Sequence, residues 1–266
     1  EVPAAMSLDE CEEVVKAVER TGRKYMMAEN CCYFPFVGVW RRLVEAGAIG
    51  RPIYAEAEYV HDCRPLMRDP VTGELTWRAK LPPILYPTHS LGPLLWLVGD
   101  RCRVAVGLHT GSNVAPELGA IDMEVGLFKT GKGMVIKILC GFSVAREPAL
   151  LYWSLYGTKG FLETRRAPRP GYDTFAYSEE LPGASGPMEI PVSTEHPKAP
   201  PEARLGGHGT AEWFMVDDFV RALVEGSTPP IDVYTAMDFT APGICAHLSA
   251  ERGGEPVEVP NFRPRR

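Results

Sequence analysis

The spacing of apolar positions changes near residue 52, and the change separates two kinds of structure along the chain. Before it, Cys11, Val14, Val15 and Val18 recur at the three- and four-residue intervals of a helix face. Ser7-Leu8-Asp9-Glu10 supplies a capping box ahead of that face, and Thr21-Gly22 ends it. Residues 24–29 then predict a short buried strand. Phe34-Pro35 opens a second helix, whose apolar face of Val39, Trp40, Leu43 and Val44 stops at Gly47. Helix, strand and helix in that order make a piece of a parallel α/β arrangement.

Beyond residue 52 the period drops to two. Ile53, Ala55, Ala57 and Tyr59 alternate with Tyr54, Glu56 and Glu58, which predicts a long strand over 52–62. A polar loop holding Trp77-Arg78 and a helix starting near His89 follow. Four further strand-like runs occupy 102–110, 121–129, 133–142 and 150–156, punctuated by turns at 130–133 and 157–160. The expectation is an antiparallel meander with one face wet or used for association. Residues 165–206, rich in Pro, Gly and charge, predict a long functional or mobile loop. Helices near 210–225 and 233–252 close the chain.

Composition narrows the function classes. At 266 residues the chain can form one large domain or two unequal ones. A net charge of −6 without any long basic run leaves no footprint for nucleic acid. Seven cysteines form no CxxC pair, and their odd number predicts reduced thiols; adjacent Cys31-Cys32 reads as buried packing. No apolar run approaches the roughly 20 residues that span a bilayer. A cytoplasmic protein is expected, with any targeting segment outside this sequence.

The candidate chemistry centres on Tyr86-Pro87-Thr88-His89, directly ahead of an apolar helical run. At a helix start the first N–H groups are unpaired and the dipole is positive, so developing negative charge is favoured there. An imidazole and a phenol in that place can move protons near neutral pH. The plainer alternative makes Thr88 an N-cap and His89 a surface residue. Glu29 ends the predicted buried strand, where it either serves a ligand or pairs with Arg64 or Arg78. His61, Asp62, His89 and His208 show no HxxxH or HExxH spacing, so no metal site is expected.

Longer strings carry a resemblance. Glu1-Val2-Pro3 and the helix–strand–helix start, followed by a mixed sheet with a long crossover, resemble the glucose–fructose oxidoreductase and inositol dehydrogenase family. Glu29-Asn30-Cys31-Cys32-Tyr33, Tyr59-Val60-His61-Asp62, Trp77-Arg78, Tyr86-Pro87-Thr88-His89 with Leu91-Gly92-Pro93, and Gly206-Gly207-His208-Gly209 occur in order. Together they are similar to its branch of NAD-dependent α-N-acetylgalactosaminidases. The residues after Gly209, Thr210-Ala211-Glu212, depart from that pattern.

The resemblance implies an α/β fold with an α+β substrate domain. Its sheet would be large, open and mixed, mostly antiparallel, with helices on one face. Residues 1–33 would close a Rossmann cofactor domain, and 34–266 would form the substrate and dimerisation domain. It implies NAD or NADP as cofactor, with a glycine-rich phosphate loop lying upstream, since no GxGxxG occurs here. It assigns Tyr86 and His89 to catalysis. Glu29, Tyr59, Arg78 and His208 fall to the substrate, a sugar or glycoside, and Glu1, Pro3 and Asn30 to the cofactor. The implied reaction oxidises the sugar at C3, acidifies C2–H, eliminates the C1 substituent, adds water and returns the hydride. Val2 replaces a Lys of the ordinary family dehydrogenases, so acid–base work falls to His89 and Tyr86. Alternatives are a sugar or cyclitol dehydrogenase, or a substrate-binding and dimerising module that is inactive alone. A homodimer is expected, without membrane or nucleic-acid partners.

Overall fold

The computed structural model describes residues 2–166 and 172–264. Helix α1, Leu8–Thr21, starts with the Ser7 hydroxyl accepting the Glu10 N–H and ends at Gly22 in the left-handed region. Helix α2 is Pro35–Glu45, with proline in its first turn. The strand expected over 24–29 does not form. Extended chain becomes a strand only when a neighbour offers a ladder, and here Met27 N–H donates to the Ile231 carbonyl as a single link. One turn of 3-10 helix, Asn30–Tyr33, follows instead.

One mixed sheet organises the rest. Its strands are β1 Pro52–Val60, β2 Cys102–His109, β3 Met123–Thr130, β4 Val135–Gly141, β5 Leu150–Gly157, β6 Gly160–Thr164, β7 Thr174–Ser178, β8 Met188–Ile190 and β9 Val257–Glu258. They lie in the order β8-β7-β6-β5-β1-β4-β3-β2-β9. Only β1 and β4 run parallel; every other neighbouring pair is antiparallel. The α/β class with a mixed, mostly antiparallel sheet is therefore as expected. The simple meander is not, because β1 inserts between β4 and β5. Strands β7 and β8 also fall within the loop expected over 165–206. At five and three residues they are too short for alternation to reveal. Part of that expected loop, residues 167–171, lies outside the described residues.

Helices α3 Trp77–Lys80, α4 Thr88–Val98, α5 Ala211–Glu225 and α6 Val233–Ala250 complete the chain. Helix α6 packs on β2 so closely that a Cβ on Gly107 would lie 2.0 Å from the Ala246 carbonyl oxygen. Trp40, Trp153, Phe36 and Phe128 are fully buried in the core on the helix-covered side. Both indoles are also tethered, Trp40 Nε1 to Thr174 Oγ1 at 2.8 Å and Trp153 Nε1 to the Ser90 carbonyl at 3.1 Å. The other face leaves Val104, Leu108, Leu127, Val135 and Tyr156 exposed. All seven cysteines are buried and free. No helix among the described residues is long and apolar enough to cross a membrane.

Candidate active site

The start of α4 is fixed by packing rather than by a side-chain cap. Pro87 occupies the cap position, and its carbonyl accepts from the Ser90 and Leu91 N–H groups. Thr88 is the first helical residue, so its alternative reading as an N-cap does not hold. Its buried hydroxyl faces the Glu29 carboxylate instead. The tether from Trp153 to Ser90 holds this turn on β5. A single backbone turn thus delivers Thr88 and His89 toward Glu29.

Glu29 is completely buried, and its partner is His89. Oε1 lies 2.7 Å from His89 Nδ1 and accepts the Cys31 N–H at 3.0 Å. Burial pushes the carboxyl pKa up. The His89 ring, the Thr88 hydroxyl and the Cys31 N–H outweigh it, so the net direction is down. The second oxygen, Oε2, is buried without a hydrogen-bond partner among the described residues. Neither expected arginine reaches this carboxylate. Arg64 grips Asp62 with two bonds, at 2.8 and 2.6 Å, and Arg78 stacks 4.5 Å above the Trp77 ring.

His89 opens on its other side into a cavity of about 610 Å³. Its ring meets Tyr86 edge-on at 5.0 Å and Tyr59 edge-on at 5.4 Å, while the two phenol rings stack at 6.2 Å. Phe142 closes against both tyrosines, at 5.5 and 5.7 Å. Burial, reinforced by Tyr86 and nearby thiols, raises the Tyr59 pKa, so its phenol stays protonated and can donate a hydrogen bond. Nδ1 of His89 is committed to Glu29, which leaves Nε2 as the nitrogen available on the cavity side.

The remaining predicted residues fall in different places. Tyr59, Arg78, Tyr86, His89 and Asn30 all line this cavity. His208 lines its rim with 60% of its side chain exposed, bonded through Nδ1 to Glu212 Oε1 at 2.5 Å. Pro3 is not among the lining residues, although Val2 is. Glu1 lies outside the described residues. His61, Phe142, Met67 and Glu212 also line the cavity and were not picked out as site residues. Glu212 carried one signal, its spacing of four from His208 across a helix start. Phe142 carried none, since an apolar residue closing a strand reads as core.

Glu29, Cys31 and His89 bring three possible metal donors within 4.8 Å of one another. Two nitrogen or oxygen donors on a tetrahedral zinc sit roughly 3.3 Å apart at bond lengths near 2.0 Å. The 2.7 Å contact is a charge-assisted hydrogen bond instead. Burial, then the charge of Glu29, raises the Cys31 pKa well above its usual value, keeping that thiol protonated.

Residues 193–265 match the family model described as glycosyl hydrolase 109, C-terminal domain. The chain is also 31% identical over 293 residues to a glycosyl hydrolase family 109 protein of Solibacter usitatus, an alignment spanning 98% of this chain and 65% of that protein. Over nearly its whole length the chain is thus similar to glycosyl hydrolase family 109 proteins. An α-N-acetylgalactosaminidase of Bacteroides fragilis is 29% identical over 304 residues, covering 98% of this chain and 68% of that one. The chain spans 65% and 57% of the length of the relatives from Solibacter usitatus and Streptomyces niveus. In fold it is similar to levoglucosan dehydrogenase in complex with NADH and L-sorbose, with a TM-score of 0.79 at 20% identity over 98% of this chain and 72% of that one. An oxidoreductase domain protein from Kribbella flavida gives 0.77 at 21% identity, over 97% and 72%. The family 109 model covers His208 and Glu212 at the rim, whereas the Glu29–His89 floor lies in the part matched only by whole-chain relatives.

Proposed function

We propose that this chain supplies the substrate wall and the proton-transfer groups of an NAD(P)-dependent glycosidase, acting by transient oxidation and elimination in the manner of an α-N-acetylgalactosaminidase. The Glu29–His89 pair beneath an aromatic cavity carries this reading. Glu29 fixes the imidazole tautomer through Nδ1, so Nε2 faces the cavity, placed to take a proton from a sugar hydroxyl or C–H and give it back. Tyr86, edge-on to the same ring, is the second group able to exchange a proton with the sugar. The protonated Tyr59 phenol steadies oxygen that gains charge. Arg78 and His208 on the wall and rim suit sugar hydroxyls or an amide carbonyl. Ordinary glycosidases instead flank the bond with two carboxylates; among the described residues lining this cavity the carboxylate is Glu212, tied to His208.

Val2, Ala28 and Asn30 form an uncharged stretch of the cavity wall. Two apolar side chains and one amide fit the flat ring and carboxamide of a nicotinamide, while the glycine-rich loop that cradles a dinucleotide's phosphates does not occur in this sequence. Bound there, the cofactor supplies reversible hydride acceptance, which acidifies the C–H beside the oxidised carbon. Val2 brings no ammonium to this wall, so proton movement rests on His89 and Tyr86. On this reading residues 1–33 belong with the cofactor and 34–266 with the substrate. The exposed apolar sheet face of Val104, Leu108 and Leu127 then joins two copies.

The test is turnover of p-nitrophenyl N-acetyl-α-galactosaminide by the full-length protein without added NAD⁺. Nitrophenol release with no accumulating NADH supports the glycosidase. Stoichiometric NADH from a free sugar would establish a dehydrogenase instead, and neither signal overturns both.

A further inference from the structure

A second cavity, of about 530 Å³, shares no lining residue with the first. It lies among the end of α4, the chain entering β2 and the first turns of α6. Three guanidinium groups line it, Arg101, Arg103 and Arg263, against two carboxylates, Asp100 and Asp238. Both carboxylates are already engaged. Asp100 accepts the Arg101 N–H at 2.8 Å and the Lys132 N–H at 2.9 Å, and Asp238 holds Arg263 at 2.5 Å. Arg101 Nη1 is buried with no hydrogen-bond partner among the described residues. A buried guanidinium nitrogen left unpaired is destabilising, and an incoming acceptor would relieve it. Burial, then Arg103 and Arg263, holds the Arg101 pKa below its usual value, against the opposing pull of Asp238 and Asp100.

We propose that this cavity binds a small phosphate-bearing anion. Planar guanidinium forks match phosphate oxygens in pairs, and among the described residues Arg101 and Arg103 form no ion pair with a carboxylate. The Thr235 hydroxyl, in the first turn of the 18-residue α6, adds a donor to the same cavity. Leu95, Trp96 and Phe239 supply an apolar wall. That wall suits the organic part of a phosphate ester, whereas free phosphate would use the arginines alone. The site is independent of the proposed reaction, since none of its residues touches the Glu29–His89 cavity.

The experiment is calorimetric titration of the full chain with inorganic phosphate, with sodium chloride at matched ionic strength as control. Saturable phosphate binding that chloride does not reproduce is expected. Arg101→Gln should weaken it at least tenfold, and the exposed variant Arg103→Gln several-fold, while Arg252→Gln, remote from the cavity, leaves it unchanged. A phosphate ester with a ring, titrated in parallel, binds tighter than phosphate and quenches Trp96 fluorescence if the ester is the natural occupant; equal affinities assign free phosphate. Absence of saturable binding, or wild-type affinity in both arginine variants when they fold as wild type by circular dichroism, overturns the proposal.

Discussion

Two glutamate–histidine pairs lie deep in this molecule, Glu29–His89 and Glu124–His247, and they are alike in almost every local respect. Both carboxylates are fully buried, and each meets Nδ1 of its histidine, at 2.7 and 2.9 Å. The difference lies in the second oxygen. Glu124 Oε2 accepts the Ile84 N–H at 3.2 Å, so that carboxylate is satisfied on both sides. Among the described residues Glu29 Oε2 makes no hydrogen bond of normal length, although the Thr88 hydroxyl faces the same carboxylate. The histidines differ too: His89 opens to the large cavity, whereas His247 faces Glu251 and His109 where α6 packs on β2. A satisfied pair is what stability alone would build. An unsatisfied one beside a cavity is tolerated where function needs it.

The largest effect expected from this contrast is on turnover. His89→Ala in the full-length protein should lower kcat by about 10²–10⁴-fold with a smaller change in KM, the span of a lost general acid–base group. His247→Ala should leave kcat within a few-fold. Steady-state kinetics on both variants check it, and equal losses would erase the contrast.

Stability should invert the order. Glu124→Ala strands His247 and the Ile84 N–H together, and breaking a buried pair costs about 3–5 kcal/mol. Glu29→Gln keeps the shape and removes a charge that is only half satisfied, so its unfolding free energy should shift by less, within about 1.5 kcal/mol. Urea unfolding of the two variants decides this. A Glu29→Gln loss as large as that of Glu124→Ala would make both pairs structural.

The two pairs also respond to pH from opposite sides. The net lowering of the Glu29 pKa means its contribution is present above the ordinary carboxylate range and lost as pH falls through the lowered folded value. For His247, burial works against the charged ring, but the bond and charge of Glu124, with Glu251, raise its pKa. Its contribution is therefore full below the ordinary histidine range and fades as pH rises through the raised folded value. The melting-temperature gap between wild type and His247→Gln should shrink from mildly acid to alkaline buffer, while the gap for Glu29→Gln should shrink only in strong acid.

Much of this was readable along the chain, and the failures have physical reasons. The capping box, the β5–β6 turn and the helix carrying His89 follow from local chemistry, and local chemistry decided them. Strand 24–29 failed because a strand is defined by its neighbour. The insertion of β1 between β4 and β5 failed for the same reason, since alternation along a strand does not say which strand lies beside it. In the site, Tyr59, Arg78, Tyr86 and His89 lie on one cavity as the motifs implied. The alternative of an arginine partner for Glu29 does not hold, because the fold brings α4 and His89 against residue 29 and leaves Arg64 to its neighbour Asp62. Glu124–His247, separated by 123 residues, left no sequence trace at all.

The smallest expected effect concerns an exposed histidine–glutamate pair, His208–Glu212, which shows what exposure does to the same chemistry. Its 2.5 Å contact is as short as those of the buried pairs, yet 60% of the His208 side chain meets solvent. In water the charges are screened and the ring gains little by being held, so exposed pairs are worth about 0–1 kcal/mol. His208→Gln should accordingly leave stability unchanged. A role at the cavity rim would show as a rise of a few-fold in KM with kcat preserved, because a rim group meets substrate before and after the chemistry alike. A fall in kcat comparable to that of His89→Ala would move His208 from the rim into the proton path, and Glu212, whose Oε2 is also buried without a partner, would then stand to it as Glu29 stands to His89.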